Sequence, residues 1–237
     1  MSRRDGILRE IGLGPIWRLR DRPEAVAVEP VVAQAAAPVA DDRAAAIAAM
    51  GWDELKTTVA DCRACNLCQA RKQAVLGVGD VEADWLFVGE GPGAEEDERG
   101  EPFVGQAGKL LDAMLAAIDL KRGSDVYIGN SVKCRPPNNR TPEAEETAAC
   151  WPFLERQIEL IKPKLIVALG RPAAQTLLQS EVKIASSRGR LFDYRGIPVV
   201  VTYHPAYLLR NLPDRARAWE DLCFMRRTMQ RLQAESH

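Results

Sequence analysis

Six cysteines and a single interior histidine carry most of the chemical potential of this 237-residue chain. Cys62, Cys65 and Cys68 follow a C-x2-C-x2-C pattern, and Cys134 and Cys150 form a later pair with fifteen residues between them. Two remote pairs of thiolates can close one tetrahedral site, suited to zinc or to an iron–sulfur cluster. Histidine ligands are nearly excluded, because the chain holds only His204 and the terminal His237. A set of buried, inert thiols is the plainer alternative. Cys223 stands alone in an amphipathic stretch and reads as core packing.

The other reactive positions cluster in loops. Gly89-Glu90-Gly91-Pro92-Gly93-Ala94 fits G-x-G-x-x-A, a dinucleotide fingerprint. Pro92 stiffens that turn, however, and Glu95, Glu96, Asp97 and Glu98 would repel a pyrophosphate. Gly108-Lys109 lacks the upstream Gly and the Ser/Thr of a phosphate loop. The first loop therefore reads as a tight turn that brings backbone and carboxylates close to a small uncharged ligand. Phe103, inside a polar Gly/Pro segment, is either a loop anchor or a stacking platform for a flat ligand. His204 stands before Pro205 at the end of an apolar run, where a functional imidazole and a structural one are both conceivable.

These residues need a scaffold, and the apolar runs supply one. Residues 85–88 (WLFV), 126–128 and 165–169 (LIVAL) are short buried strands, the first and third ending in Gly. Residues 191–203 read as a hairpin turning at Arg195-Gly196, whose second arm is the fourth core strand. Helices are expected over residues 42–50, 106–118, 171–179 and 214–232. Another runs from Thr141 to about Ile161, with Thr141 as N-cap, Pro142 in the first turn and Glu143, Glu145 and Glu146 matching the dipole. The alternation predicts an α/β fold: three layers, αβα, around a central, mostly parallel four-stranded sheet. Ligands of such sheets sit beyond the carboxyl ends of the strands. That rule selects residues 89–93, Asn130, Gly170-Arg171 and His204-Pro205.

Composition sets the outer limits. With 46% hydrophobic residues and a net charge of −1, the chain is not disordered throughout, and no global field advertises a nucleic-acid partner. The balance is uneven, since residues 186–237 hold nine Arg and no Lys against five acids. The longest charge-free run, residues 196–209, is too short and too polar for a membrane span, which needs ~20 apolar residues. Charges at Asp5, Arg9 and Glu10 leave no signal peptide, so a cytoplasmic protein is expected, in which clustered Cys point to a metal rather than to disulfides. Residues 1–50 read as an extension: a helix or docking segment near 7–20, then an Ala/Pro linker over 24–40. The folded domain is expected over 51–237.

Three segments, GEGPGAEEDERGEPFVGQAGKLLDAML, YIGNSVKCRPPNNRTP and HPAYLLRN, together with the Cys spacing, resemble the family 4 uracil-DNA glycosylases, the iron–sulfur branch of that superfamily. The resemblance covers roughly residues 52–232. It implies a structural [4Fe–4S] cluster on Cys62, Cys65, Cys134 and Cys150, with no ligand role required of Cys68. It implies hydrolysis of the N-glycosidic bond of deoxyuridine in single- or double-stranded DNA, as a monomer and after the base leaves the stack. Phe103 would stack on uracil, Gly91 would lie beside it, Asn130 would read its N3–H and O4, and His204 would donate to O2. Leu208 or Leu209 would wedge into the minor groove, with Arg210 on a phosphate. Where the best-known branch of the superfamily has a water-activating Asp, this chain has Gly91. Glu90 and Glu96 are then the candidates to position water, Glu96 preferred for its reach over the pocket. A non-catalytic DNA- or polymerase-associated module of the same fold is the alternative, opposed by the intact set Glu90, Phe103, Asn130 and His204. A covalent uracil-trapping relative would carry a His-containing loop after the second strand. Residues 133–140 contain no His. Residues 1–50 would serve an unidentified protein partner.

Overall fold

A computed structural model describes residues 42–235. The expected docking segment and linker, residues 7–20 and 24–40, lie outside the described residues.

The sheet has six strands in place of the four expected. They are β1 (Val78–Gly79), β2 (Trp85–Gly89), β3 (Val126–Asn130), β4 (Leu165–Leu169), β5 (Leu191–Tyr194) and β6 (Ile197–Thr202), in the order β1-β3-β2-β4-β6-β5. The inner pairs β3–β2, β2–β4 and β4–β6 are parallel. The extra strands are the antiparallel edges, β1 on β3 and the hairpin arm β5 on β6. A two-residue strand such as β1 leaves no periodic signal, which is why sequence alone misses it.

Every residue of β2, β3 and β4 is buried. Their alternate side chains feed two separate cores. Phe87, Ile128, Val167 and Val200 face a layer formed by α4 (Gln106–Ala116) and α9 (Arg215–Glu235). Leu86, Val88, Ile166 and Val201 face α5 (Ala144–Ile161) and α6 (Arg171–Leu178). Burial on both faces is what makes these strands continuous apolar runs.

Adjacent strands β2 and β4 therefore send their following helices to opposite faces. This divergence opens a crevice at their carboxyl ends, the usual ligand position in open α/β sheets. The short helices α3 (Ala94–Arg99), α7 (Ile184–Ser187) and α8 (Pro205–Arg210) surround that end.

A third cluster lies apart from the sheet. Ile47 of α1 (Asp42–Ala48) and Leu55 and Val59 of α2 (Trp52–Asp61) pack with Val132, Cys134, Cys150 and Phe153. Residues 42–50, grouped by composition with the extension, thus join the folded body through Ile47, which is 1% exposed. The start of α5 also differs from expectation. Its N-cap is Glu143, whose N–H donates to Glu146 Oε2 at 2.8 Å, and Thr141 precedes the helix. Among the described residues no helix is long and apolar enough to cross a membrane.

Candidate active site

The crevice is a cleft of about 710 Å³. Glu90, Gly91, Glu96, Phe103, Asn130, His204 and Arg210 all line it, so the ends of β2, β3 and β6 and the α3–α4 loop meet there. Leu208 and Leu209 do not line it. Leu208 is 1% exposed and packed in the α4–α9 core, whereas Leu209 is 38% exposed. Leu208 therefore cannot leave its seat to act as a wedge without opening the core.

Asn130 ends β3 and is 2% exposed, yet its Oδ1 has no hydrogen-bond partner. A buried acceptor left unpaired costs about 1–3 kcal/mol, so such an atom in a cleft is poised for a ligand donor. Gly89, paired with Asn130 in register, makes room for it. A Cβ at Gly89 would lie 2.5 Å from Asn130 Oδ1 and 2.6 Å from Phe103 Cζ. The strand end is glycine because two functional side chains occupy the space of a third.

Phe103 has φ 55°, a left-handed backbone that bulky residues avoid. Such strain costs of order 1–3 kcal/mol and persists only where neighbours impose it. Here Arg122 Nη1 and Nη2 donate to the Pro102 and Phe103 carbonyls, both at 2.8 Å. Below, Gly108 accommodates the Phe103 carbonyl, which a Cβ there would approach within 1.7 Å. The ring stacks on His204 with centroids 5.5 Å apart and planes inclined by 29°.

His204 caps α8, with its Nδ1 accepting from Ala206 N–H at 3.1 Å. Burial, reinforced by the Arg210 charge, lowers its pKa to about 4, while Glu96 opposes the shift. The imidazole is consequently neutral at physiological pH. Its proton sits on Nε2, because Nδ1 is an acceptor. Gly170, at φ 89°, lets the end of β4 pass beside it, and a Cβ there would sit 3.0 Å from His204 Cβ.

The two acidic candidates differ in what holds them. Glu96 Oε1 accepts from Val104 N at 3.0 Å and Gly105 N at 3.1 Å, and Oε2 accepts from Gly93 N at 3.1 Å. Its carboxylate ties two loops together. Glu90 has its pKa raised by burial, moderated by a hydrogen bond with the Thr141 side chain and by the Arg171 charge. Thr141 thus serves Glu90 and not the helix start, and the sequence signal that marked it as a cap was misleading.

Cys62, Cys65, Cys68, Cys134 and Cys150 line one small second cavity with Arg71, Lys133 and Phe153. N–H groups point at three of the sulfurs: Arg71 Nη1 at Cys134 (2.8 Å), Lys133 N at Cys150 (3.2 Å) and Arg43 Nη2 at Cys62 (3.6 Å). Such donors suit anionic sulfur ligands. Burial meanwhile pushes the Cys150 thiol up to about 12 and raises Cys134 and Cys65 as well. These thiols become thiolates only when a bound metal replaces the proton. Among the described residues no three His, Cys, Asp or Glu side chains gather as a single ion requires. Cys68 lies on the same wall as the four expected ligands. Cys223 is partly buried and lies outside this cavity.

Arg122, Lys133 and the Thr141–Glu90 contact were not legible beforehand. Arg171, selected with Gly170 by the carboxyl-end rule, does line the cleft.

The comparisons with known proteins agree with this geometry. The model of the uracil DNA glycosylase superfamily matches residues 76–223. The chain is 50% identical to the Type-4 uracil-DNA glycosylase of Thermotoga maritima over 161 residues, which span 67% of this chain and 83% of that protein. It is 43% identical to the Pyrobaculum aerophilum enzyme of the same name over 181 residues, covering 73% and 92% of the two chains. It is 45% identical to that of Archaeoglobus fulgidus over 165 residues, covering 66% and 82%. A family match across most of the folded body, on top of a cleft at the sheet's carboxyl edge, means that the chain belongs to the uracil DNA glycosylase superfamily, in its type-4 family.

Proposed function

We propose that the cleft receives a uracil base turned out of DNA, and that the chain hydrolyses the N-glycosidic bond behind it, releasing uracil and leaving an abasic site for base-excision repair. The observation that carries this reading is the buried, unpartnered Asn130 Oδ1. Uracil offers N3–H to such an acceptor and O4 to the amide N–H of the same side chain. Cytosine presents the opposite polarity at both atoms, so it would leave buried groups unpaired and be rejected. Phe103 stacks on the ring held beneath it, and Gly91 brings the backbone close to the base where a Cβ would meet Val132 Cγ2 at 2.8 Å.

The neutral His204 donates from Nε2 to uracil O2. As the C1′–N1 bond breaks, its electron pair moves onto uracil and the charge spreads to O2, where this hydrogen bond strengthens. Water adds at C1′ and gives up its proton to Glu90 or to solvent. An oxocarbenium-like sugar reduces the need for a strong base, so positioning is the larger part of the work. Glu90 takes this role over Glu96, whose two oxygens already hold three backbone N–H groups. Leu209 is an exposed apolar side chain available to the minor groove, and Arg210 beside it suits a phosphate.

Cys62, Cys65, Cys134 and Cys150 are proposed to hold a [4Fe–4S] cluster. The N–H donors aimed at three of the sulfurs and the shared cavity of the five cysteines support a resident thiolate-bound group there. Bound there, the cluster supplies a structural tie, since glycosidic hydrolysis moves no electrons to or from the protein. A monomer in the cytoplasm, with a folded domain that includes α1 and a partner for the residues before it, completes the proposal.

The test is strand cleavage of an oligonucleotide with one deoxyuridine, after alkaline treatment, beside thymine and cytosine controls. Cleavage confined to the uracil strand is expected. Absence of cleavage by iron-loaded protein would overturn the reading.

A further inference from the structure

Lys133 is an ammonium-bearing side chain with 1% exposure, three residues beyond Asn130. It does not line the cleft, so no base or DNA contact explains it. Its Nζ donates to the main-chain carbonyl of Asn130 at 2.8 Å and to Gln157 Oε1 at 2.5 Å. Gln157 is itself held, with Nε2 donating to Tyr127 Oη and to the Leu76 carbonyl, both at 3.0 Å.

The need for that donor follows from the sheet. β1 pairs with β3 only at Tyr127 and Ile128, so the ladder on that side stops two residues short of Asn130. On the other side, Ser131 N and Oγ both donate to the Gly89 carbonyl, which fixes the chain after Asn130 against β2. The Asn130 carbonyl is held by a charge-assisted bond instead of a strand, and such bonds are shorter and stiffer than neutral ones. The backbone of Lys133 is anchored as well, its carbonyl to Val75 N at 2.8 Å and its N–H to Cys150 Sγ at 3.2 Å. One residue thus joins the wall of the cysteine cavity to the end of β3.

We propose that Lys133 is a positioning residue for base selection: by fixing the Asn130 main chain at the open end of the ladder, it sets the aim of Asn130 Oδ1 into the cleft. This rests on the reading of the cleft as a uracil site. A misplacement of about 1 Å at a reacting or reading group costs on the order of 10²-fold, so loosening this anchor is expected to reach the rate without touching the substrate.

The experiment is a double-mutant cycle on iron-loaded protein, combining Lys133→Met with Asn130→Ala and measuring single-turnover uracil release. Lys133→Met keeps the apolar stem and removes the charge and donors. It is expected to lower release about 10- to 100-fold alone, and less than about threefold when Asn130 is already Ala. Iron per chain and the melting curve are read on the same samples. Equal factors in both backgrounds, or an activity loss that merely follows the folded, iron-loaded fraction, would overturn the proposal. If Lys133→Met yields no folded protein, Gln157→Leu, which frees the ammonium from its second anchor, is put through the same cycle with the same criteria. Wild-type protein that releases no uracil would defeat the reading of the cleft itself, a result distinct from equal factors in an active enzyme.

Discussion

The cleft and the cysteine cavity treat polar atoms in opposite ways. In the cleft, Asn130 Oδ1 is left without a partner and Phe103 is held in a left-handed backbone. Around the cysteines, sulfurs receive N–H donors from Arg43, Arg71 and Lys133, and the surrounding residues form a packed apolar cluster. Unpaired atoms and strain lower stability, and in a cleft a transient ligand can relieve them. Donors trained on thiols suit a resident group that stays for the life of the fold. The contrast teaches how a cleft proposed for a visitor differs from a cysteine cavity proposed for an occupant.

The comparison breaks most visibly at the occupant. Cys150→Ser is expected to lose iron and cooperative melting together, because binding of the proposed cluster would be coupled to folding. Iron and melting are read on one anaerobic preparation. A variant that lacks iron but melts like wild type would show that the cavity is not structural, and stoichiometric zinc in the wild type would replace the cluster.

On the visitor's side, Asn130→Asp removes the amide donor for O4 and places an anionic carboxylate where uracil N3–H and O4 must both be met. Single-turnover uracil release is expected to fall about 10³-fold or more, with melting little changed. A loss below about tenfold would remove Asn130 from base reading.

These two sites were legible in the sequence to different depths. The parallel strands were readable because helices cover both faces, so each strand is an apolar run with a polar or glycine end. The cleft residues followed from the rule that ligands sit at those ends, and Asn130 and His204 needed no more than that. Leu208 and Leu209 differ only in facing inward or outward on α8, which a six-residue helix does not encode in its spacing. Glu96 was preferred for its reach, yet that reach is what lets it bind Val104 and Gly105 across the loop. Arg122 and Lys133 act on main-chain carbonyls distant in space or hidden in the core, and no residue pattern announces such contacts. Thr141 followed by Pro142 looks like a helix start, but the capping geometry falls two residues later at Glu143.

A smaller effect concerns pH. His204 is neutral in the fold, with its pKa lowered to about 4. The unfolded chain takes up a proton near the ordinary value of about 6.5. Stability linked to this group is therefore fully present above about 6.5 and is lost as pH falls through about 4. Uracil release should show no step centred near 6.5. Its acid limb should instead follow Glu90, whose pKa burial raises above the ordinary carboxylate range, and Glu90→Gln should flatten that limb. A step near 6.5 that disappears in His204→Ala would contradict the neutral imidazole.

The smallest effect is expected from the N-terminus. A chain beginning at Asp42 retains α1, whose Ile47 is buried against the cysteine cluster, and should release uracil within about twofold of the full chain. A further cut to residue 51 should lower melting. Loss of activity in a folded Asp42 chain would give residues 1–41 a part in the chemistry.

The central claim is that the cleft acts on charge that develops as the base departs, and one sample of His204→Ala tests it. Rate, affinity for uracil-containing DNA and melting temperature are measured together. Uracil O2 carries little charge before the bond breaks, so the account predicts a single-turnover rate lower by about 10²–10³-fold, ~3–4 kcal/mol, with binding and melting near normal. A parallel fall of all three would mean that His204 only braces the Pro205 turn, and would contradict the account.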